Sequence, residues 1–227
     1  MTTVLIVDDQ PLQRYGFRVL LETASETEVI GEAGHGSEAV RRTAELRPDV
    51  VLMDVRMPGM NGIEATRRIV GAGGRSRVLV LTTFDLDEYA YAALRAGASG
   101  FLLKDARPEE LLAGIRAVAT GDAVVAPAVT RRLLDAYGRH LPTRPGSRDP
   151  RADSRLAALT DREREILLAI GKGWNNGEIA ERMALSGSTV KTHVGRILAK
   201  LGARDRVQAV IFAYDIGLTH AGVGEER

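Results

Sequence analysis

The chain has 227 residues, 44% of them hydrophobic and 27% charged, an ordinary globular composition that excludes disordered and fibrous classes. No cysteine is present, which excludes disulfides, thiolate metal sites and cysteine nucleophiles together, and the four histidines, at 35, 140, 193 and 220, are too scattered for a zinc site. The net charge of +1 hides a division: residues 1–121 hold 14 Lys and Arg against 17 Asp and Glu (net −3), and residues 122–227 hold 17 against 13 (net +4).

At about 150 residues per domain the length suits one large domain or two modest ones. No apolar run nears the ~20 residues of a membrane-spanning helix, and no basic segment precedes an apolar stretch at Met1. A cytoplasmic location without a membrane partner is therefore expected.

In chain order, short β-branched runs alternate with longer segments of helical period. The runs are Val4–Val7, Val29–Ala33, Val50–Met53, Val78–Leu81 and Gly100–Leu103. Between and after them lie Pro11–Thr23, Ser37–Leu46, Gly62–Val70, Leu86–Ala96 and Pro108–Thr120. Pro11 and Pro108 stand at first helical positions, where a missing N–H costs nothing. Five strands alternating with five helices predict a parallel, doubly wound sheet over residues 1–121. The alternation then stops. Residues 122–155 read as a linker, with one helix possible at 127–140 and a Pro-, Arg-, Gly- and Ser-rich stretch at 141–154 that lacks the apolar content to order itself. Residues 156–220 read as wholly helical and 221–227 as a disordered tail. Thr160-Asp161-Arg162-Glu163 is a capping box opening the first of four helices; Asn176–Met183, Ser188–Leu201 and Arg206–Ile216 follow.

What ends each strand is more informative than the strand. The runs are followed by Asp8-Asp9, by Asp54, by Thr82-Thr83 and by Lys104. In an open parallel sheet the carboxyl ends share one edge, where ligands bind. With strand order 2-1-3-4-5, Asp8, Asp9 and Asp54 meet at the switch point. Taken singly, each aspartate suits a helix N-cap equally well. Three carboxylates that close repel one another unless a cation sits among them, and hard oxygen donors with room for water suit Mg²⁺. Lys104 and the Thr82 hydroxyl add a cation and a donor for a phosphoryl group.

The loop Met57-Pro58-Gly59-Met60-Asn61-Gly62 completes a pattern, with Gly97-Ala98 and Lys104, that resembles the receiver domain of two-component response regulators over residues 2–120. The resemblance implies a flavodoxin-like α/β receiver in which Asp54 accepts a phosphoryl group. Asp9, Asp54 and the Arg56 backbone carbonyl would hold Mg²⁺, with Asp8 acting mainly through water. Lys104 would hold a phosphoryl oxygen, and Thr82 and Phe101 would be the switch pair; alone, Phe101 reads equally well as a core aromatic. Receivers commonly carry a cis proline after the lysine, whereas Asp105 stands here, which leaves the geometry of that bond open. The same likeness places Arg56 and Phe84 beside the approach of a hydrolysing water, and neither is a general base at neutral pH. Slow loss of the phosphoryl group is expected on that reading; the alternative is that Phe84 packs on the following helix and has no bearing on lifetime.

In Ser188–Leu201 the apolar residues Val190, Val194, Ile197, Leu198 and Leu201 form one stripe, with Ser188, Thr192, Gly195, Arg196 and Ala199 opposite. Lys191 lies on one flank, His193 and Lys200 on the other. A face of small residues and Arg can enter a major groove. With Asn176-Gly177-Glu178-Ile179-Ala180 before it and the turn Ala184–Gly187, it fits a helix-turn-helix. The stretch 159–218 resembles the LuxR/NarL-type DNA-binding domain. The likeness implies contact with DNA through Lys191, Thr192 and Arg196, with Ser188, His193 and Lys200 beside them, and a last helix that supports dimerisation. Trp174 reads as a packing residue.

Together these features predict a phosphorylation-dependent transcription regulator rather than an enzyme. Its partners would be a sensor histidine kinase, operator DNA and a second copy of itself. A phosphatase with an aspartyl nucleophile of the haloacid-dehalogenase type is disfavoured, since its nucleophile follows the first strand and its second Asp lies two residues on, where Arg56 stands here. A receiver that works without phosphorylation is disfavoured by the complete pocket, and an RNA-binding output by the helix-turn-helix.

Overall fold

A computed structural model describes residues 1–82, 86–121 and 150–218. The chain divides into two units between residues 124 and 125. The first alternates β1 (Thr2–Val7), α1 (Pro11–Glu22), β2 (Thr27–Ala33), α2 (Gly36–Leu46), β3 (Val50–Asp54), α3 (Gly62–Gly71), β4 (Arg77–Thr82), α4 (Leu86–Arg95), β5 (Gly100–Leu103) and α5 (Pro108–Thr120). The strands form one parallel sheet in the order β2-β1-β3-β4-β5, as the alternation predicts.

Side-chain alternation along each strand feeds two cores. Val4, Ile6, Val50, Leu52, Leu79 and Leu81 join Leu21 of α1 and Leu111, Ile115 and Val118 of α5. The intervening Leu5, Val51, Met53, Val78 and Val80 are equally buried, on the face that α2, α3 and α4 cover. Because the central strands are apolar on both faces, they have no solvent side, which is what a parallel sheet requires. The sheet's edges are β2 and β5. Ile30 is an extra residue in β2, since Val4 pairs with Val29 and Leu5 with Gly31; β5 has only four residues.

The second unit is helical throughout its described part. Its helices are α6 (Pro150–Ala157), α7 (Asp161–Gly171), α8 (Asn176–Arg182), α9 (Gly187–Leu201) and α10 (Arg206–Asp215). Their apolar faces close on Leu159, Ile166, Leu167, Ile170, Ile179, Val190, Val194, Ile197, Leu201, Val210 and Phe212. Four of these helices start on side-chain caps: Thr160 with Glu163, Asn175 with Glu178, Ser186, whose Oγ accepts the Thr189 N–H at 3.1 Å, and Asp205, whose Oδ1 accepts the Gln208 N–H at 3.1 Å. Helix α6 corrects the expected linker of 122–155, and makes five described helices where four were expected. Its first residues fall in the stretch read from composition as unstructured. Tertiary contacts account for its order: Leu156 packs on the core, the Arg155 guanidinium stacks 4.7 Å from the Phe212 ring centroid and also donates to the Leu201 carbonyl at 3.3 Å. The helix expected at 127–140 and the tail at 221–227 lie outside the described residues, as does Phe84.

Candidate functional site

Parallel register brings the strand-end residues together. Val7 pairs with Met53 and Asp54 with Leu81, so Asp8 and Asp54 stand at one level; Thr82 pairs with Leu103 and places Lys104 beside it. The Lys104 N–H donates to the Thr82 carbonyl at 2.8 Å, locking the ends of β4 and β5. Asp8, Asp54 and Thr82 are buried, at 1%, 4% and 5% exposure, and Asp9 is half-buried. Lys104 Nζ donates to Asp8 Oδ2 at 2.7 Å and lies 3.0 Å from Asp54 Oδ1. Among the described residues no peptide bond is cis, so the Lys104–Asp105 bond is trans and the lysine reaches both carboxylates without a cis turn.

One oxygen from each of Asp8, Asp9 and Asp54 lies within 4.8 Å of the others. At that spacing each pair of like charges repels by about 3 kcal/mol at an effective dielectric of about 20. Lys104 offsets one of the three charges, leaving a net −2 that matches a divalent cation. The donors are all hard oxygens, so they fit Mg²⁺. Burial pushes the Asp54 carboxyl above its ordinary range, opposed by Lys104 and by the Arg56 backbone N–H, and assisted by the charge of Asp8. Burial would pull Lys104 down, but its bonds to Asp8 and Asp54 hold it above the usual lysine range. The lysine is firmly a cation.

The loop after β3 is shaped around the acceptor. A Cβ at Gly62 would fall 1.9 Å from the Asp54 carbonyl oxygen, so only glycine lets α3 begin there, and the Gly62 N–H donates to the Val55 carbonyl at 2.9 Å. Asn61 caps α3 through the Glu64 N–H at 2.9 Å. Met57 is buried. A glycine outside the expected motif serves the same loop: a Cβ at Gly36 would lie 2.3 Å from the Met60 carbonyl oxygen. Its neighbour His35 caps α2, with Nδ1 accepting the Glu38 N–H at 3.2 Å. Phe101 is buried in β5.

In the second unit, α9 presents two distinct sides. Val190, Val194, Ile197 and Leu201 are buried, whereas Ser188, Lys191, Thr192, Gly195, Arg196 and Ala199 are exposed. Lys191 and Arg196 have no ion-pair partner among the described residues, and the space above Gly195 is open. Thr192 Oγ1 donates to the Ser188 carbonyl at 2.9 Å, and Ser188 Oγ shares a hydrogen bond with Ser186 Oγ, also at 2.9 Å. His193 is half-buried, with Nδ1 unpartnered among the described residues. The turn before α9 places Ala184 at φ 52°, a left-handed position with no glycine to announce it.

Lys200 has a partner within the unit. Its Nζ donates to Glu163 Oε2 at 2.6 Å, across 37 residues of sequence. Glu163 is buried at 3% exposure. The same carboxylate accepts the Thr160 N–H at 2.8 Å. Lys200 first and the Thr160 N–H second hold its pKa down to about 2. The lysine thus braces α9 against the start of α7. Arg206 is also engaged internally, donating to Asn176 Oδ1 at 2.7 Å and to the Trp174 carbonyl. Trp174 packs against the core as expected, with Arg182 4.4 Å and Lys172 5.5 Å from its ring centroid.

A carboxylate-and-lysine pocket at the switch point of one unit, with a helix-turn-helix in the other, defines a receiver joined to a DNA-binding output. Residues 4–116 match the response regulator receiver domain, and residues 157–213 match the luxR family of bacterial regulatory proteins. An uncharacterized transcriptional regulatory protein, YxjL of Bacillus subtilis, is 42% identical over 95% of this chain and 96% of its own. The response regulator VraR of Staphylococcus aureus is 39% identical over 95% and 97%. Among solved structures, the response regulator ChrA of a heme-sensing two-component system is similar at 35% identity and a TM-score of 0.52, over 96% of this chain and 98% of that one. The chain belongs to the LuxR-type response regulators, transcription regulators of two-component systems and not enzymes. Among the described residues no helix is long and apolar enough to cross a membrane.

Proposed function

We propose that Asp54 accepts a phosphoryl group from a sensor histidine kinase and that this controls pairing of two copies and their binding to operator DNA. The observation that carries the reading is the buried Asp54 carboxylate, 3.0 Å from the Lys104 ammonium in a pocket shared with Asp8 and Asp9. A carboxylate oxygen of Asp54 attacks phosphorus, the bond from phosphorus to the donor nitrogen breaks, and the donor imidazole leaves as the acyl phosphate forms. Lys104 pairs with a phosphoryl oxygen as charge accumulates there. Asp9, Asp54 and the Arg56 carbonyl would hold Mg²⁺, with Asp8 behind them through water; the ion would neutralise the phosphoryl oxygens. The Thr82 hydroxyl then turns towards the new phosphoryl group and Phe101 follows, changing the receiver surface.

In the output unit, Ser188, Lys191, Thr192 and Arg196 face the major groove, with His193 at the margin. Two copies would read half-sites about one helical turn apart. Each 1.4 kcal/mol is tenfold in occupancy, so a modest switch energy at Asp54 suffices when pairing and DNA binding reinforce each other. Incubation with acetyl phosphate and Mg²⁺, followed by intact-mass measurement, tests the reading. The wild type gains one phosphoryl mass and Asp54→Ala gains none; the same adduct on Asp54→Ala overturns it.

A further inference from the structure

Helix α1 carries two arginines that meet the same carboxylate. Arg18 Nε donates to Glu32 Oε1 at 2.6 Å, and Arg14 Nε donates to Glu32 Oε2 at 3.1 Å. Arg18 Nη1 also donates to Glu22 Oε1 at 3.3 Å, on its own helix, whereas Arg14 Nη1 reaches the pocket turn and donates to the backbone carbonyl of Asp8 at 2.7 Å. That carbonyl is the first beyond β1, and it heads the peptide bond to Asp9. The Asp8 N–H is already held by the Ala33 carbonyl at 3.2 Å, and Asp8 Oδ1 accepts the Gln10 N–H at 2.9 Å. Arg14 therefore closes a loop of hydrogen bonds around the turn that carries Asp9, tying it to the first turns of α1 and to the neighbouring strand β2. The Arg14 side chain is largely covered, at 18% exposure. The planar fork serves the carboxylate from Nε and the carbonyl from Nη1, two donors set apart in a fixed plane that a lysine's single ammonium does not reproduce.

We propose that Arg14 is a positioning residue for the metal pocket, orienting the Asp8–Asp9 peptide so that Asp9 meets the cation together with Asp54. The inference rests on the pocket binding Mg²⁺ as described above. It also runs against simple electrostatics. A cation this close to a net −2 pocket repels a second cation, so if Arg14 acted only through its charge, removing it would tighten Mg²⁺ binding. If it acts by position, removing it weakens binding. The two effects have opposite signs.

The test is Mg²⁺ titration calorimetry on the full chain at fixed ionic strength, for wild type, Arg14→Met, Arg14→Lys and Arg18→Met. Arg18→Met is the control, because it removes an equal charge from Glu32 and leaves Asp8 untouched. Loss of an outer-shell support costs about tenfold in metal affinity, so Arg14→Met and Arg14→Lys should weaken binding by about that factor while Arg18→Met matches wild type. Phosphorylation by acetyl phosphate should slow in the Arg14 variants at limiting Mg²⁺ and recover at saturating Mg²⁺. Unchanged or tighter binding in Arg14→Met overturns the proposal; if that variant fails to fold, wild-type affinity in Arg14→Lys overturns it. A wild type that takes up no Mg²⁺ would sink the pocket reading itself, a separate and recognisable failure.

Discussion

Glu163→Gln should weaken the DNA-binding unit by about 2 kcal/mol at neutral pH. Glutamine still accepts the Thr160 N–H and keeps the capping box, so the change removes the charge and little else. A carboxyl held at about 2 in place of its ordinary 4.5 corresponds to about 3 kcal/mol of preference for the ionised form. Lys200, its main cause, is 35% exposed along its side chain, and solvent screening trims its share, which brings the figure to about 2. Because the folded pKa is depressed, the contribution is fully present above about 4.5 and is lost as pH falls towards 2. Trp174 is the only tryptophan in the chain and sits in this unit, so its fluorescence during urea unfolding of the full chain reports on this unit alone. The wild type should exceed Glu163→Gln at pH 7, and the gap should close between pH 4.5 and 2. Equal midpoints at pH 7, or a gap that does not change with pH, would refute the assignment of Lys200 as a brace.

Asp54→Asn should stabilise the receiver in metal-free buffer at neutral pH, because burial raises the Asp54 pKa and the ionised form is held at a cost. The wild type recovers that stability as pH falls below the folded pKa of Asp54, so the advantage should vanish in acid; circular dichroism during urea titration reads it. Gly62→Ala places a methyl group against the Asp54 carbonyl. It should cost about 1–3 kcal/mol of receiver stability and abolish the phosphoryl adduct seen by intact mass. Arg196→Ala should relax sequence preference by about 1–3 kcal/mol at the bases it meets. An unchanged ratio of operator to random DNA in a competition gel shift would move the reading face elsewhere on α9.

Much of the receiver was legible because its signals are local and repeat. Each apolar run stops where the sheet stops, so Asp8, Asp54, Thr82 and Lys104 could be placed on one edge from strand order alone. Which carboxylates Lys104 would reach was not legible, since that depends on the length of β5 and the lock between Lys104 and Thr82. Helix α6 was missed because Pro150–Ala157 has little apolar content; its order comes from Phe212 and Leu201, far along the chain. The partner of Lys200 was not legible for the same reason: helical periodicity puts the lysine on a flank of α9, and only the fold brings Glu163 to it. Gly36 and Ala184 left no local mark, one because the close approach is to Met60 of a different loop, the other because alanine rarely takes a left-handed backbone.

The sheet is finished at both sides in a way that bears on the proposed pairing of two copies. Open strand edges invite further strands, and such pairing has no natural stopping point. Here the β2 edge carries exposed Glu28 and the paired Glu32, and the extra residue Ile30 breaks its regular spacing. The β5 edge offers four residues and then turns away into Lys104 and Asp105. Neither is a template for growth. The proposed pairing would then fall to helical surfaces, where a twofold contact uses up the surface that makes it and assembly ends at a pair.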